Sequence, residues 1–190
     1  MRILMKFGGT SVADAHCIKR VVDILEEHHK KGDELAVVVS AQRGVTDALI
    51  DVAQKLPTAK DDSEIAPLIQ SLSMRHMTTL EGAAPDHVPE VGADLEEKLI
   101  TLKNILFAVY NLRELTPHSK DHIISYGERL LAPILGAALR QRGIASTVMD
   151  GCEAGILTTP QHGESTSLPE SDERIQRRVG LLLKKEIPVI

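Results

Sequence analysis

Lys6-Phe7-Gly8-Gly9-Thr10-Ser11 combine a cation, two adjacent glycines and two hydroxyls between the apolar run Ile3-Leu4-Met5 and a helical pattern opening near Asp14. That is a strand-to-helix junction built to hold phosphate. Glycine lets bare backbone N–H groups approach an anion. A helix N-terminus adds partial positive charge and unpaired donors, and Lys6 adds a full charge. The spacing fits neither GxxxxGK[ST] nor GxGxxG.

Two further groups fall at comparable junctions. Ser40 ends a second apolar run, and Thr46 lies near the start of the helix after it, so both hydroxyls are expected at the same sheet edge as Gly8 and Gly9. Taken alone, Thr46 reads equally as a plain helix N-cap. In Ser125-Tyr126-Gly127-Glu128-Arg129, a glycine beside a carboxylate predicts a helix break that presents Glu128 into a cleft. The competing reading of Glu128 and Arg129 is a solvated surface pair.

The elements that must position these groups alternate. Ile3 to Phe7 reads as a strand, and 14–31 as a helix with Ile18, Val21, Val22 and Leu25 on one face, stopped by Gly32. Leu35 to Ser40 is continuously apolar, as in a strand buried on both faces of a parallel sheet. A helix led by Val45 follows and ends at Pro57. Residues 58–117 change character: two helical stripes are separated by a loop with two prolines, and Asp61 with Glu64 resembles a capping box. This predicts a helical hairpin inserted into the scaffold, its stripes packing chiefly on each other. Beyond it come a helix to Arg142 with a break near Tyr126-Gly127, strands at 145–149 and 155–159, a helix over 170–185 and a last apolar strand, Ile187 to Ile190. The pattern predicts an α/β fold: a three-layer α/β/α sandwich on a largely parallel sheet. An apolar strand at the terminus, with nothing after it, is expected to mean that the chain stops mid-domain.

Composition narrows the function classes. The net charge of −5, pI near 5.9 and 2% aromatic content offer no basic, aromatic-interleaved surface for nucleic acid. No apolar stretch approaches the roughly 20 residues of a membrane span. Cys17 and Cys152 lie far apart and no secretory signal is visible, so they read as reduced thiols of a cytoplasmic protein. The eight histidines are scattered, and no metal site is expected from them.

Together the three clusters resemble aspartate kinases. Leu4 to Val12 is similar to their signature, Val38-Val39-Ser40-Ala41 with Gly44-Val45-Thr46-Asp47 to their second motif, and Ser125 to Leu130 to their third. Asp150 with Glu153 to Thr158 is similar to the segment that follows. The resemblance implies the amino-acid-kinase fold and transfer of the ATP γ-phosphoryl group, with Mg²⁺, to the β-carboxylate of aspartate. That is the first step towards lysine, threonine and methionine. It implies that Lys6, Phe7, Gly8 and Gly9 line the phosphate site, with Lys6 catalytic, and that Ser40, Thr46 and Glu128 hold aspartate. Thr10, Ser11 and Arg129 are further candidates. A homo-oligomer is expected. Members of the family continue with a Gly- and Ser-rich loop, a substrate-binding Arg, an Asp near the transferred group, an adenine pocket and often ACT domains. Residues 1–190 therefore read as the N-terminal, amino-acid-binding lobe, with little turnover expected from it alone. The alternatives are a kinase acting on glutamate or acetylglutamate, and a non-catalytic phosphate- or amino-acid-binding module.

Overall fold

The computed structural model describes residues 1–190. In chain order the elements are β1 (Arg2–Phe7), α1 (Ala15–Lys30), β2 (Glu34–Val39), α2 (Val45–Lys55), α3 (Ile65–Ala83), α4 (Val88–Leu112), α5 (Pro117–Gln141), β3 (Ser146–Val148), α6 (Gly151–Ala154), α7 (Glu170–Leu182) and β4 (Ile187–Val189). The four strands are all parallel, in the order β1-β2-β4-β3. The last strand is thus internal, flanked by neighbours on both sides.

Alternation along the strands sorts the two faces. Ile3, Met5 and Phe7 of β1 and Leu35, Val37 and Val39 of β2 pack into the main core with α1 and α5. On the other face Ala36 packs with Val179 of α7 and Ala154 of α6, completing three layers. That second cover is partial: Leu4, on the same face, stays 69% exposed.

The hairpin of α3 and α4 does more than pack on itself. Its buried residues, Leu72, Leu80, Leu102 and Leu106 among them, belong to the same continuous core as Ile18, Leu35 and Leu130. α3 lies against α1 and α5, and α4 against α5. A helix with an apolar stripe must bury it, and the nearest large apolar surface is the back of α5.

Three expectations are corrected. No capping box opens α3; the Asp61 carboxylate accepts instead from the Ser63 amide at 3.1 Å, an Asx turn ahead of the helix. A true capping box forms at Asp150 and Glu153, starting α6 where a strand run was expected to follow. Gly155 ends that short helix, and 157–159 pairs with 166–168 in a small antiparallel bridge rather than joining the sheet. Lastly, α5 is unbroken through Gly127 and Pro133. Pro133 has no N–H to give the Arg129 carbonyl, and both residues line an open cleft.

One buried group makes the core sensitive to acid. His76 on α3 has 0% exposure; its Nδ1–H donates to the Leu72 carbonyl at 2.7 Å and its Nε2 has no partner. Burial holds its pKa below the usual imidazole value of 6.5, against a smaller upward pull from the Leu72 bond. The unfolded chain therefore binds the extra proton first as pH falls below about 6.5, and the native state loses stability over that window. Between pH 8 and pH 5.5, urea melts should show wild type losing stability relative to His76→Met, by up to about 1.4 kcal/mol per pH unit below about pH 6.5. Parallel curves would contradict the assignment.

Candidate functional site

Parallel register brings the strand ends to one rim. Lys6 is opposite Val38 and Phe7 opposite Val39, while the Ser40 amide donates to the Phe7 carbonyl at 3.1 Å. The loops after β1 and β2 therefore leave the sheet side by side. The Arg43 amide reaches back to the Gly9 carbonyl at 3.2 Å, and a Cβ on residue 9 would stand 2.8 Å from the Ala41 carbonyl oxygen. Only glycine permits that approach.

Lys6 is exposed and unpaired by any acid, its Nζ lying 3.9 Å from where a Gly8 Cβ would be. The Gly8 carbonyl accepts from the Ser11 amide at 2.8 Å, closing a turn that leaves Thr10 and Ser11 exposed. Val12, fully buried, anchors the loop from beneath. The expected help from the first helix N-terminus is reduced. Asp14 caps α1, accepting from the Cys17 amide at 2.8 Å, and that bond holds its carboxyl below the usual carboxylate range. An ionised side chain thus takes a donor and offsets the helix's positive end. Lys6 places a full positive charge at this rim.

The start of α2 differs. Its N-cap is Gly44, which has no side chain to offer, so Thr46 lies within the first turn and is not the cap. Ser40 and Thr46 thus flank an uncapped helix start beside the Gly9 loop.

Glu128 joins this rim from α5. Its Oε1 accepts from the Ala41 amide at 3.0 Å, across 87 residues of sequence. Gly127 allows the contact, for a Cβ there would sit 2.5 Å from the Ala41 Cβ. The glycine expected to break the helix instead lets an intact helix press against the β2–α2 loop. Arg129 turns the other way: it pairs with Asp150 at 3.3 Å and lies over the Tyr126 ring at 5.6 Å. Asp150 is held below its usual pKa mainly by the Glu153 amide, with Arg129 adding to the effect. Glu128 and Arg129 are therefore no surface pair.

A cleft of about 1050 Å³ runs along α5, lined by Ser125, Glu128, Arg129 and Pro133 of that helix, Lys98 of α4 and Asp150. Lys6, Gly8, Gly9, Ser40 and Thr46 do not line it. The cleft and the glycine rim meet at Glu128, which belongs to both. Sequence reasoning missed two members of the arrangement. The Ala41 amide carries no side-chain signal, and Gln42 reads as an ordinary turn residue although it is 1% exposed.

No helix is long and apolar enough to cross a membrane, and Cys17 and Cys152 are free.

Comparison with known proteins fits this architecture. Bifunctional aspartokinase/homoserine dehydrogenase 1 of Arabidopsis thaliana is 28% identical over 173 residues, covering 90% of this chain and 19% of the relative. The aspartate kinase of Pseudomonas putida is 25% identical over 174 residues, covering 92% of this chain and 29% of its own length. The chain thus spans between a fifth and three-tenths of these relatives. Among solved structures, E. coli aspartokinase III with lysine and aspartate superposes with a TM-score of 0.83 at 22% identity, over 98% of this chain and 39% of that one. The same enzyme with aspartate and ADP gives 0.80 at 21% identity, over 100% and 40%. At those identities the likeness establishes the fold. The model of the amino acid kinase family matches residues 1–190 from end to end, and with the parallel sheet and glycine rim already in place, the chain belongs to that family.

Proposed function

We propose that this chain forms the amino-acid-binding lobe of an aspartate kinase, with the hairpin of residues 58–117 as its insertion, acting in ATP-dependent phosphorylation of the aspartate β-carboxylate. The observation that carries the proposal is the Ala41–Glu128 hydrogen bond, which ties the third motif to the second at the rim where the first ends. In support, the relatives above are named aspartate kinases, and one solved neighbour holds aspartate and ADP.

The chemistry asks little beyond placement and charge. A carboxylate with a reference pKa of about 3.9 is already an ionised nucleophile, so no general base is needed. The barrier lies in bringing it against a polyphosphate, and catalysis comes from positioning and charge cancellation. In this reading Oε1 of Glu128 is occupied by Ala41, leaving the other oxygen for the substrate ammonium. The Ser40 and Thr46 hydroxyls and the start of α2 receive a carboxylate, with Thr10 and Ser11 nearby. Lys6 and the Gly8-Gly9 amides face the phosphates, Phe7 supporting them from the strand; Arg129, paired with Asp150, shapes the cleft. Magnesium would neutralise phosphate charge. No group of three or more His, Cys, Asp or Glu side chains converges in this chain, and Lys6 with the Gly8-Gly9 amides would supply its share of the charge cancellation.

Calorimetric titration with L-aspartate, N-acetylaspartate and L-glutamate tests the reading, with ADP release measuring turnover. Aspartate should bind and its N-acetyl derivative should not; equal binding of the two would remove Glu128 as the ammonium partner. Lys6→Met should weaken Mg-ADP binding about tenfold, the worth of one charge-assisted bond on an exposed lysine, and leave aspartate affinity within about twofold. Unchanged nucleotide affinity would take Lys6 out of the phosphate site.

A further inference from the structure

The loop between β2 and α2 is tied at successive residues to different parts of the molecule. Ser40 is bonded to the end of β1, Ala41 to Glu128 of α5 and Arg43 to Gly9. Between the last two, Gln42 points inward at 1% exposure, and its Nε2–H donates to Thr79 Oγ1 of α3 at 2.9 Å. The Thr79 hydroxyl, itself on a residue only 3% exposed, donates onward to the Arg75 carbonyl at 2.9 Å. Gln42 Oε1 is buried with no partner.

An amide with one orphaned oxygen costs free energy that an apolar side chain of similar volume would not. A buried carboxamide gives instead a directional contact that admits one placement of the loop. Leucine in its place would pack equally well with the loop shifted by an ångström. Such a shift would open both the Ala41–Glu128 and the Arg43–Gly9 bonds, which are made by the backbone on either side of Gln42.

We infer that Gln42 is a positioning residue: its bond to Thr79 fixes the β2–α2 loop on α3, and thereby holds the Ala41 amide on Glu128 and the Arg43 amide on Gly9. The helical insertion then becomes part of the site's scaffold. The consequence for substrate rests on the function proposed above; the latch itself does not.

Amide hydrogen exchange on the whole chain tests it without any ligand. Thr79→Val keeps the side-chain shape and removes the hydroxyl; Thr79→Ser restores the hydroxyl and gives up the methyl group. The Ala41 and Arg43 amides should exchange about tenfold faster in Thr79→Val, with α4 and α5 amides unchanged, and return to slow exchange in Thr79→Ser. Gln42→Leu should repeat the Thr79→Val pattern, and if it fails to fold the Thr79 pair still decides. Unaltered exchange at Ala41 and Arg43 in Thr79→Val overturns the latch, as does a Thr79→Ser protein no better protected than Thr79→Val, the result that simple packing would give. Aspartate affinity, measured alongside, should fall about tenfold in Thr79→Val. If the wild-type chain binds aspartate and N-acetylaspartate alike, the proposed substrate site fails while the exchange result still judges the latch.

Discussion

Glu128→Ala should weaken aspartate binding by two to three orders of magnitude. In the function proposed above the side chain has two tasks, and alanine ends both. One is to face an ammonium group with a half-buried carboxylate, where a charge-assisted bond is worth about 1.5–3 kcal/mol. The other is to hold the Ala41 amide, which at 3.0 Å fixes the loop carrying Ser40. Glu128→Gln separates them, because its carbonyl oxygen can still accept from Ala41 while the charge is gone. It should lose about 10- to 100-fold in affinity and keep the Ala41 amide slow to exchange, whereas alanine should lose more and free that amide. Wild-type affinity in Glu128→Gln would mean that no ammonium sits there. The substrate assignment would then have to move to another group of the cleft.

What could be read from the sequence follows from how local each signal is. β1 and β2 were legible because apolar runs bounded by glycine or hydroxyl residues have few other uses, and their parallel pairing puts Lys6, Gly9 and Ser40 at one edge. Helix faces such as Ile18, Val21, Val22 and Leu25 were legible from their spacing, and all four are buried. Gly127 was misread because helix propensity describes an isolated helix, and the reason for glycine here is a neighbour 86 positions away in the chain, Ala41. The 155–159 run has strand composition, but its fate was decided upstream, where the Asp150–Glu153 box starts a helix. The hairpin's role was hidden for a related reason: a stripe such as Leu72 and Leu80 shows that it must be buried, not what buries it. Gln42 gave no signal, since a polar residue in a turn is expected in water and only the packed fold shows it enclosed. Local pattern thus located the glycine rim, and long-range packing determined how that rim is held.

Gly127 is where such packing should have its largest measurable effect. On propensity alone, replacing a helical glycine with alanine gains about 1 kcal/mol. Sterically the sign reverses, because the new Cβ would lie 2.5 Å from the Ala41 Cβ, an atom with no rotamer by which to retreat. Relief requires moving either α5 or the β2–α2 loop, and both are set in the main core through Leu130 and Val45. Overpacking of this kind costs about 1–3 kcal/mol, and the further branch of valine, with Val45 Cγ1 already 3.7 Å from the Cβ position, brings Gly127→Val to about 3 kcal/mol or more. Chemical denaturation should show that loss, and aspartate binding should fall with it as Glu128 is carried off Ala41. A strain confined to one pair of carbons must also be reversible. Gly127→Ala combined with Ala41→Gly should recover most of what Gly127→Ala loses, a coupling of about 1–2 kcal/mol between two positions. Strictly additive losses would mean that residue 127 is glycine for some reason other than room for Ala41, and the close approach of α5 to the loop would no longer explain how Glu128 reaches the rim.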